Sequence, residues 1–200
     1  TGFHQYTFPA SDNSYLIIDA GNFLDYATNR TEAQYFVGSE IEFISETVIE
    51  GYTRIRGGWG KGDAYTVYFS AEIDTPADEI GTSKSGTINL NSKYEIDTNE
   101  KTTAFLRFKT TANQQIKMKV GISFLGRLKA RANRENEIPH WDFQSVVSSA
   151  EKKWSDAVGK ITVEGENDAL KTMFYTALYH TQLMPTDRTG ENPKWVSSEP

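Results

Sequence analysis

Tyr65-Thr66-Val67-Tyr68-Phe69-Ser70-Ala71-Glu72-Ile73 alternates in side-chain character with a period of two. In an extended chain successive side chains point to opposite faces, so Tyr65, Val67, Phe69, Ala71 and Ile73 share one face and Thr66, Tyr68, Ser70 and Glu72 the other. The first face is expected to be buried, with Tyr65, Val67, Phe69 and Ile73 in the core, and the second to be wetter. Similar short runs lie on both sides: Phe3 to Phe8, Tyr15 to Asp19, Gln34 to Val37, Glu40 to Ile44, Thr47 to Arg56, Gly86 to Leu90, Thr103 to Lys109 and Gln115 to Ser123. Asp74-Thr75-Pro76 and Asp97-Thr98-Asn99-Glu100 supply turn chemistry, and Gly57-Gly58 permits a bulge or a positive φ ahead of Trp59. Many short strands at this spacing predict a mainly antiparallel β-sandwich as far as Phe124.

The texture changes after Gly126. Arg127 to Glu137 reads as a charged helix stopped by Ile138-Pro139, because the residue before a proline is pushed out of the helical region. Asp142 can cap a second helix whose Phe143, Val146, Val147, Ala150, Trp154 and Ala157 form one stripe, with Gly159 at its end. That stripe predicts a deeply buried Trp154. A short strand is expected at Ile161-Thr162-Val163, then a third helix capped near Asn167 or Asp168. Its stripe is Leu170, Met173, Phe174, Ala177, Leu178 and Thr181, with Tyr175, Tyr179 and Gln182 opposite. The expected organisation is a β-sandwich over 1–126, a helical linker over 127–160 and the start of a helical domain over 161–200. Beginning inside an alternating pattern, the chain is expected to be part of a longer protein.

Composition narrows the function classes. The 200 residues carry 21 Lys and Arg against 27 Asp and Glu, a formal charge of −6, and no basic run breaks the balance. A nucleic-acid footprint is therefore not expected. No segment approaches the ~20 consecutive apolar residues a membrane helix needs. Zero cysteines exclude disulfide scaffolds, thiolate metal sites and thiol nucleophiles.

Most catalytic patterns fail on inspection. His4, His140 and His180 lie far apart, and the one carboxylate at helical spacing, Glu137 before His140, is separated from it by Pro139; no transition-metal site is predicted. Gly57 to Asp63 lacks the Gly-Lys-Ser/Thr ending of a phosphate loop and leads into a strand, so it reads as a glycine-rich turn whose Trp59 either anchors the turn or stacks on a ligand ring. No Gly-x-Ser-x-Gly element occurs. Glu40, Glu42, Glu72, Asp74, Asp78 and Glu79 read as solubilising charge, and Glu164, Glu166 and Asp168 as charge at a helix N-terminus. Asn29-Arg30-Thr31 fits a glycosylation acceptor and is given no function.

Four strings carry a resemblance. They are Thr1-Gly-Phe-His-Gln-Tyr-Thr-Phe-Pro9; Glu50-Gly-Tyr-Thr-Arg-Ile-Arg-Gly-Gly-Trp-Gly60 leading to Tyr68-Phe69-Ser70-Ala71-Glu72; Val120-Gly-Ile-Ser-Phe124 through Ala130, Asn133 and Glu137-Ile-Pro139 to Trp141-Asp-Phe143 and Trp154; and Ile161-Thr-Val-Glu-Gly165 with Lys171-Thr-Met-Phe-Tyr-Thr-Ala-Leu-Tyr-His-Thr181. In this order they resemble glycoside hydrolase family 92, the calcium-dependent exo-acting α-mannosidases. The resemblance implies a galactose-mutarotase-like supersandwich, a helical linker and an (α/α) barrel that binds terminal mannose at the sandwich interface. It implies hydrolysis of mannose-rich glycans with inversion, in a periplasmic or extracellular bacterial setting. The family's acid, base and calcium ligands belong to segments beyond Pro200, so no catalytic or metal-binding residue is assigned here.

Four residues are candidates for substrate contact: Trp59, His180, Asp187 and Trp195. His180 stands just ahead of the long loop from Pro185 to Pro200. Asp187, Arg188, Asn192 and Trp195 in that loop can hydrogen-bond hydroxyls and stack on a pyranose ring. Asp187-Arg-Thr-Gly190 follows a family pattern, but Asn192 occupies the place of its aromatic residue, which leaves the mannosidic linkage open. The alternative reading is a non-catalytic carbohydrate-binding sandwich with Trp59 stacked on sugar; a third is an α/α-barrel phosphorylase or another glycosidase sharing the sandwich-plus-barrel architecture.

Overall fold

The computed structural model describes the chain apart from residues 24–32, 59–61, 185, 188 and 192–200. Ten strands come first: β1 Gly2–Phe8, β2 Ser11–Asp19, β3 Gln34–Phe43, β4 Val48–Gly57, β5 Tyr65–Ile73, β6 Glu79–Lys84, β7 Thr87–Leu90, β8 Tyr94–Asp97, β9 Thr102–Thr110 and β10 Gln114–Ser123. Three helices follow: α1 Arg127–Glu137, α2 Phe143–Val158 and α3 Asp168–Thr181. One sheet has the order β1-β10-β5-β4-β3-β8 and the other β2-β9-β6-β7. Every recorded pairing is antiparallel.

The sheets face each other across one apolar core. Leu16, Ala104, Leu106 and Phe108 from the four-stranded sheet meet Ile41, Phe43, Ile49, Ala71, Ile73, Ile116 and Met118 from the six-stranded one. Alternation explains the arrangement, since core residues recur at every second position of β3, β5, β9 and β10. The described chain forms two compact units, one of Thr1–Trp141 and a second that begins at Asp142. The first therefore includes α1.

Several expectations change. The two short strands expected at Gln34 to Val37 and Glu40 to Ile44 are one strand, β3, whose register shifts between Phe36 and Gly38. A bulge preserves pairing where the alternation breaks. β6 and β8 were not expected, because Glu79-Ile80-Gly81-Thr82-Ser83-Lys84 and Tyr94-Glu95-Ile96-Asp97 are short and mostly polar. The β6–β7 hairpin turns through Ser85 and Gly86, both at positive φ (50° and 77°), as a two-residue turn matched to strand twist requires.

In β5 the expected face is only partly the buried one. Ala71 and Ile73 are buried and Phe69 packs against the core, but Tyr65, at the strand's start, is 36% exposed and Val67 half-buried. On the face expected to be wetter, Ser70 is fully buried. The cause is α1, which lies on the outside of the six-stranded sheet. Its backbone comes so close to β10 that a Cβ at Gly121 would stand 2.7 Å from the Arg134 backbone nitrogen.

Trp154 is not deeply buried either. It is 42% exposed, and neither α2 nor α3 has a buried residue. A stripe of apolar residues marks a face able to pack; in this pair of helices the Trp154 ring packs on that of Tyr179, with centroids 4.7 Å apart. Residues 161–163 form no strand; the Val163 amide lies 3.4 Å from the Tyr175 hydroxyl.

Candidate functional site

Two places gather functional groups. The first is the outer face of the six-stranded sheet beneath α1. Arg127, Arg131 and Arg134 recur at i, i+4 and i+7 and so share one side of the helix. Opposite them, strand register lines up Glu42, Glu50, Ser70 and Gly121 across β3, β4, β5 and β10. Arg127 reaches Glu42 at 2.6 Å and Glu40 at 3.0 Å. Arg131 grips Glu50 with two donors, at 2.8 and 3.0 Å. Arg134 donates to the Ser70 hydroxyl at 2.9 Å, and that hydroxyl donates onward to Glu50 at 2.8 Å.

Glu50 is 2% exposed. Burial pushes its carboxyl upward, but hydrogen bonds from Arg131 and Ser70 and the charges of Arg131 and Arg127 outweigh this and hold it below the ordinary carboxylate value. Glu40, Glu42 and Glu72 are thus not simply solubilising, as their alternating positions suggested: they anchor a helix. Their signal in the sequence was the matching spacing of the three arginines. The far end of α1 is fastened by Lys119, whose ammonium lies 4.0 Å above the Trp141 ring, 3.3 Å from the Ile138 carbonyl and 3.4 Å from Glu72.

The second place is the surface of the α2–α3 unit. Asp142 caps α2 by accepting from the Ser145 amide at 3.0 Å, and Asn167 caps α3 by accepting from the amides of Ala169 and Leu170. Between the helices Trp154, Val158, Lys171, Tyr175 and Tyr179 line an open depression of about 600 Å³. His180 stands in the last turn of α3, its ring 5.7 Å from that of Tyr179. Asp187 is exposed and closes a local turn, accepting from the Thr189 hydroxyl at 2.6 Å and the Thr189 amide at 2.8 Å; these bonds hold its carboxyl below the ordinary value.

His180 and Asp187 make no contact with each other among the described residues, so the structure does not join them into one site. Trp59 and Trp195, with Arg188, Asn192 and the Asn29-Arg30-Thr31 pattern, lie outside the described residues. Among the described residues no three His, Cys, Asp or Glu side chains converge in a group that could hold a metal ion. No described helix is long and apolar enough to cross a membrane. The α2–α3 surface presents aromatic rings and hydroxyls in this depression, and its Asp168 carboxylate stands 3.6 Å from the Lys171 ammonium.

Comparison with known proteins adds the context. The family model for the Glycosyl hydrolase family 92 N-terminal domain matches residues 1–123, and that for the Glycosyl hydrolase family 92 catalytic domain matches residues 129–199. An uncharacterized secreted glycosidase of Arthroderma benhamiae is 37% identical over 102 residues, which is 48% of this chain and 13% of the relative. The fold is similar to that of a family GH92 α-mannosidase from Bacteroides thetaiotaomicron, with a TM-score of 0.78 and 25% identity over 92% of this chain and 24% of that one. The same α-mannosidase has been solved in complex with mannoimidazole. A family GH92 inverting mannosidase of Bacteroides thetaiotaomicron aligns with a TM-score of 0.76 and 26% identity, over 92% of this chain and 23% of that one. The chain thus spans about a quarter of the length of these mannosidases.

Proposed function

From the premise that the chain belongs to glycosyl hydrolase family 92, we propose that the full-length protein is an exo-acting α-mannosidase that removes terminal mannose from mannose-rich glycans. The observation that carries this reading is the collinear match of both family models along one chain, the sandwich model to residues 1–123 and the catalytic model to 129–199. The second match favours an enzyme over a stand-alone sugar-binding sandwich.

The proposed reaction inverts the anomeric centre. One carboxylic acid protonates the leaving oxygen and a carboxylate activates a water, and that geometry needs two carboxyls about 6.5–9.5 Å apart. Both groups are assigned to the part of the protein outside this chain, as are the ligands of a calcium ion that, when bound, would supply electrostatic help to the reaction. Within the chain, residues 1–126 are assigned to the sandwich, 127–160 to the linker, whose first helix α1 belongs to the same compact unit as the sandwich, and 161–200 to the start of the barrel. Trp59, His180, Asp187 and Trp195 contribute to holding substrate. The enzyme acts on α-1,2-linked mannose in the periplasm or outside the cell, a setting that suits the secreted relative.

The test is the intact gene product assayed on mannobiosides of defined linkage, with the anomer of the released mannose followed by NMR. Release of β-mannose from the α-1,2 compound, abolished by a calcium chelator and restored by calcium, is the expected result. Release of α-mannose, or of mannose 1-phosphate only when inorganic phosphate is supplied, overturns it.

A further inference from the structure

The outer face of the six-stranded sheet carries a second feature one row along from the arginine-bound carboxylates. Tyr68 on β5 is register partner to Tyr52 on β4, Tyr52 to Glu40 on β3, and Glu40 to Ile96 on β8. Tyr94, on β8 opposite Glu42, shares this face. The Tyr52 and Tyr68 rings meet edge to face with centroids 6.0 Å apart. Tyr94 is 49% exposed, Ile96 is exposed as well, and Tyr52 and Tyr68 are half-buried. Three strand intervals make the row about 14 Å long.

The chemistry of this face is specific. No hydrogen bond occupies the hydroxyls of Tyr52, Tyr68 or Tyr94 among the described residues. Burial, and then the neighbouring Glu40 carboxylate, push the Tyr52 and Tyr94 hydroxyls above their ordinary value, so both stay neutral donors. The two carboxylates, Glu40 and Glu42, are balanced by two guanidiniums: Arg127, bonded to both, and Arg54, beside Tyr52. A charged ligand would gain nothing from a face whose charges cancel, whereas a neutral ligand with an apolar side and many hydroxyls matches it. Aromatic rings cover the C–H side of a pyranose, and free tyrosine hydroxyls, carboxylate oxygens and arginine N–H groups bond to its edge.

We propose that Tyr52, Tyr68 and Tyr94, with Glu40 and Arg54, form a non-catalytic saccharide-binding face that takes a neutral α-mannan chain. The choice of mannan rests on the mannosidase reading; the neutral polyhydroxylated character of the ligand rests on the face itself. Such a face would hold the enzyme on a polymeric glycan while the catalytic site trims its ends.

The test is affinity electrophoresis of the full-length protein through gels containing yeast α-mannan, with dextran gels as the control. The wild type is expected to be retarded by mannan and not by dextran. Tyr94→Ala should weaken that retardation at least threefold with an unchanged melting temperature, and Tyr94→Phe should keep most of it. Tyr68→Ala should act in the same direction; if it fails to fold, the more exposed Tyr94 carries the test. Undiminished retardation in Tyr94→Ala, equal retardation by dextran, or a loss that follows a fallen melting temperature overturns the proposal. A wild type retarded through Tyr94 that cleaves no mannobioside overturns the mannosidase reading and leaves the face standing. One that cleaves mannobiosides but is indifferent to Tyr94→Ala overturns the face alone.

Discussion

The inner face of the six-stranded sheet buries Ile41, Ile49, Ala71, Ile73 and Ile116, while its outer face under α1 buries Glu50, Ser70 and Arg134. Water is excluded from both, by different means. Inside, burial is favourable for each side chain alone, at roughly 25 cal/mol per Å² of apolar surface, and any well-shaped apolar neighbour serves. Outside, each buried group is costly alone and is tolerated only through a named partner. The interior is thus robust to the identity of its neighbours and sensitive to volume. The α1 interface is sensitive to charge, register and approach distance.

The largest expected effect belongs to volume. Phe108 is buried at the centre of the core, and Phe108→Ala should lower unfolding free energy by about 3–5 kcal/mol, read from denaturant melts of the full-length protein. Phe108→Leu should cost much less. If the two cost the same, the core is not packed as described and the contrast between the faces collapses.

Approach distance comes next. Gly121→Ala would put a methyl against the backbone of α1 at Ala130 and Arg134, where no flexible side-chain end can yield. A cost of about 1–3 kcal/mol is expected, the range for overpacking a well-packed site. Circular dichroism should show the sandwich intact, and proteolysis should increase within 127–137. A neutral Gly121→Ala would mean that α1 stands off the sheet.

How much of this could be read in advance differs between the faces. The inner face was legible because an apolar period of two reports burial directly, and Ala71 and Ile73 lie where the alternation of β5 puts them. The outer face was not, because Ser70 and Glu72 look like solvent-facing residues until a helix covers them. The clue was Arg127, Arg131 and Arg134 on one side of a helix with few apolar residues, which needs carboxylates opposite. Trp154 shows the opposite limit: its stripe records a face that can pack, yet the residue stays 42% exposed beside Tyr179. The candidate contacts were less legible still. His180 was chosen for standing just ahead of the loop from Pro185 to Pro200 and Asp187 for its residue type within it, and neither reason says that two groups converge.

Charge dependence separates the faces further. Glu50→Gln should cost about 1–2 kcal/mol at neutral pH, the value of hydrogen bonds to a charged group discounted because Arg131 is 34% exposed. The carboxyl sits below its ordinary value of 4.5 when folded, so its stabilisation is complete above that value and is lost as pH falls through the lower folded one. Stability measured from pH 6 down to pH 3 should therefore fall more steeply in the wild type than in Glu50→Gln, and the two curves should converge at the acid end. Parallel curves would show that Glu50 carries no linked proton.

The smallest effect is expected from the same chemistry in another setting. Lys152 and Asp156 pair at 2.8 Å, no longer than Arg131 and Glu50, but they stand at i and i+4 on α2 with 75% and 64% of their side chains exposed. Water already solvates both ions, so forming the pair gains little Coulomb energy and restricts two mobile side chains. Lys152→Ala should change stability by less than about 0.5 kcal/mol, part of that offset by alanine's better helix propensity, and added salt should erase what remains. The Glu50→Gln cost should survive the same salt, because the Glu50 carboxylate is screened from solvent by α1. If both costs vanish together in salt, the α1 interface is wet, and the distinction between its bound carboxylates and ordinary surface pairs fails. A persistent loss at Lys152 alone would show instead that this side of α2 is covered in the full-length protein.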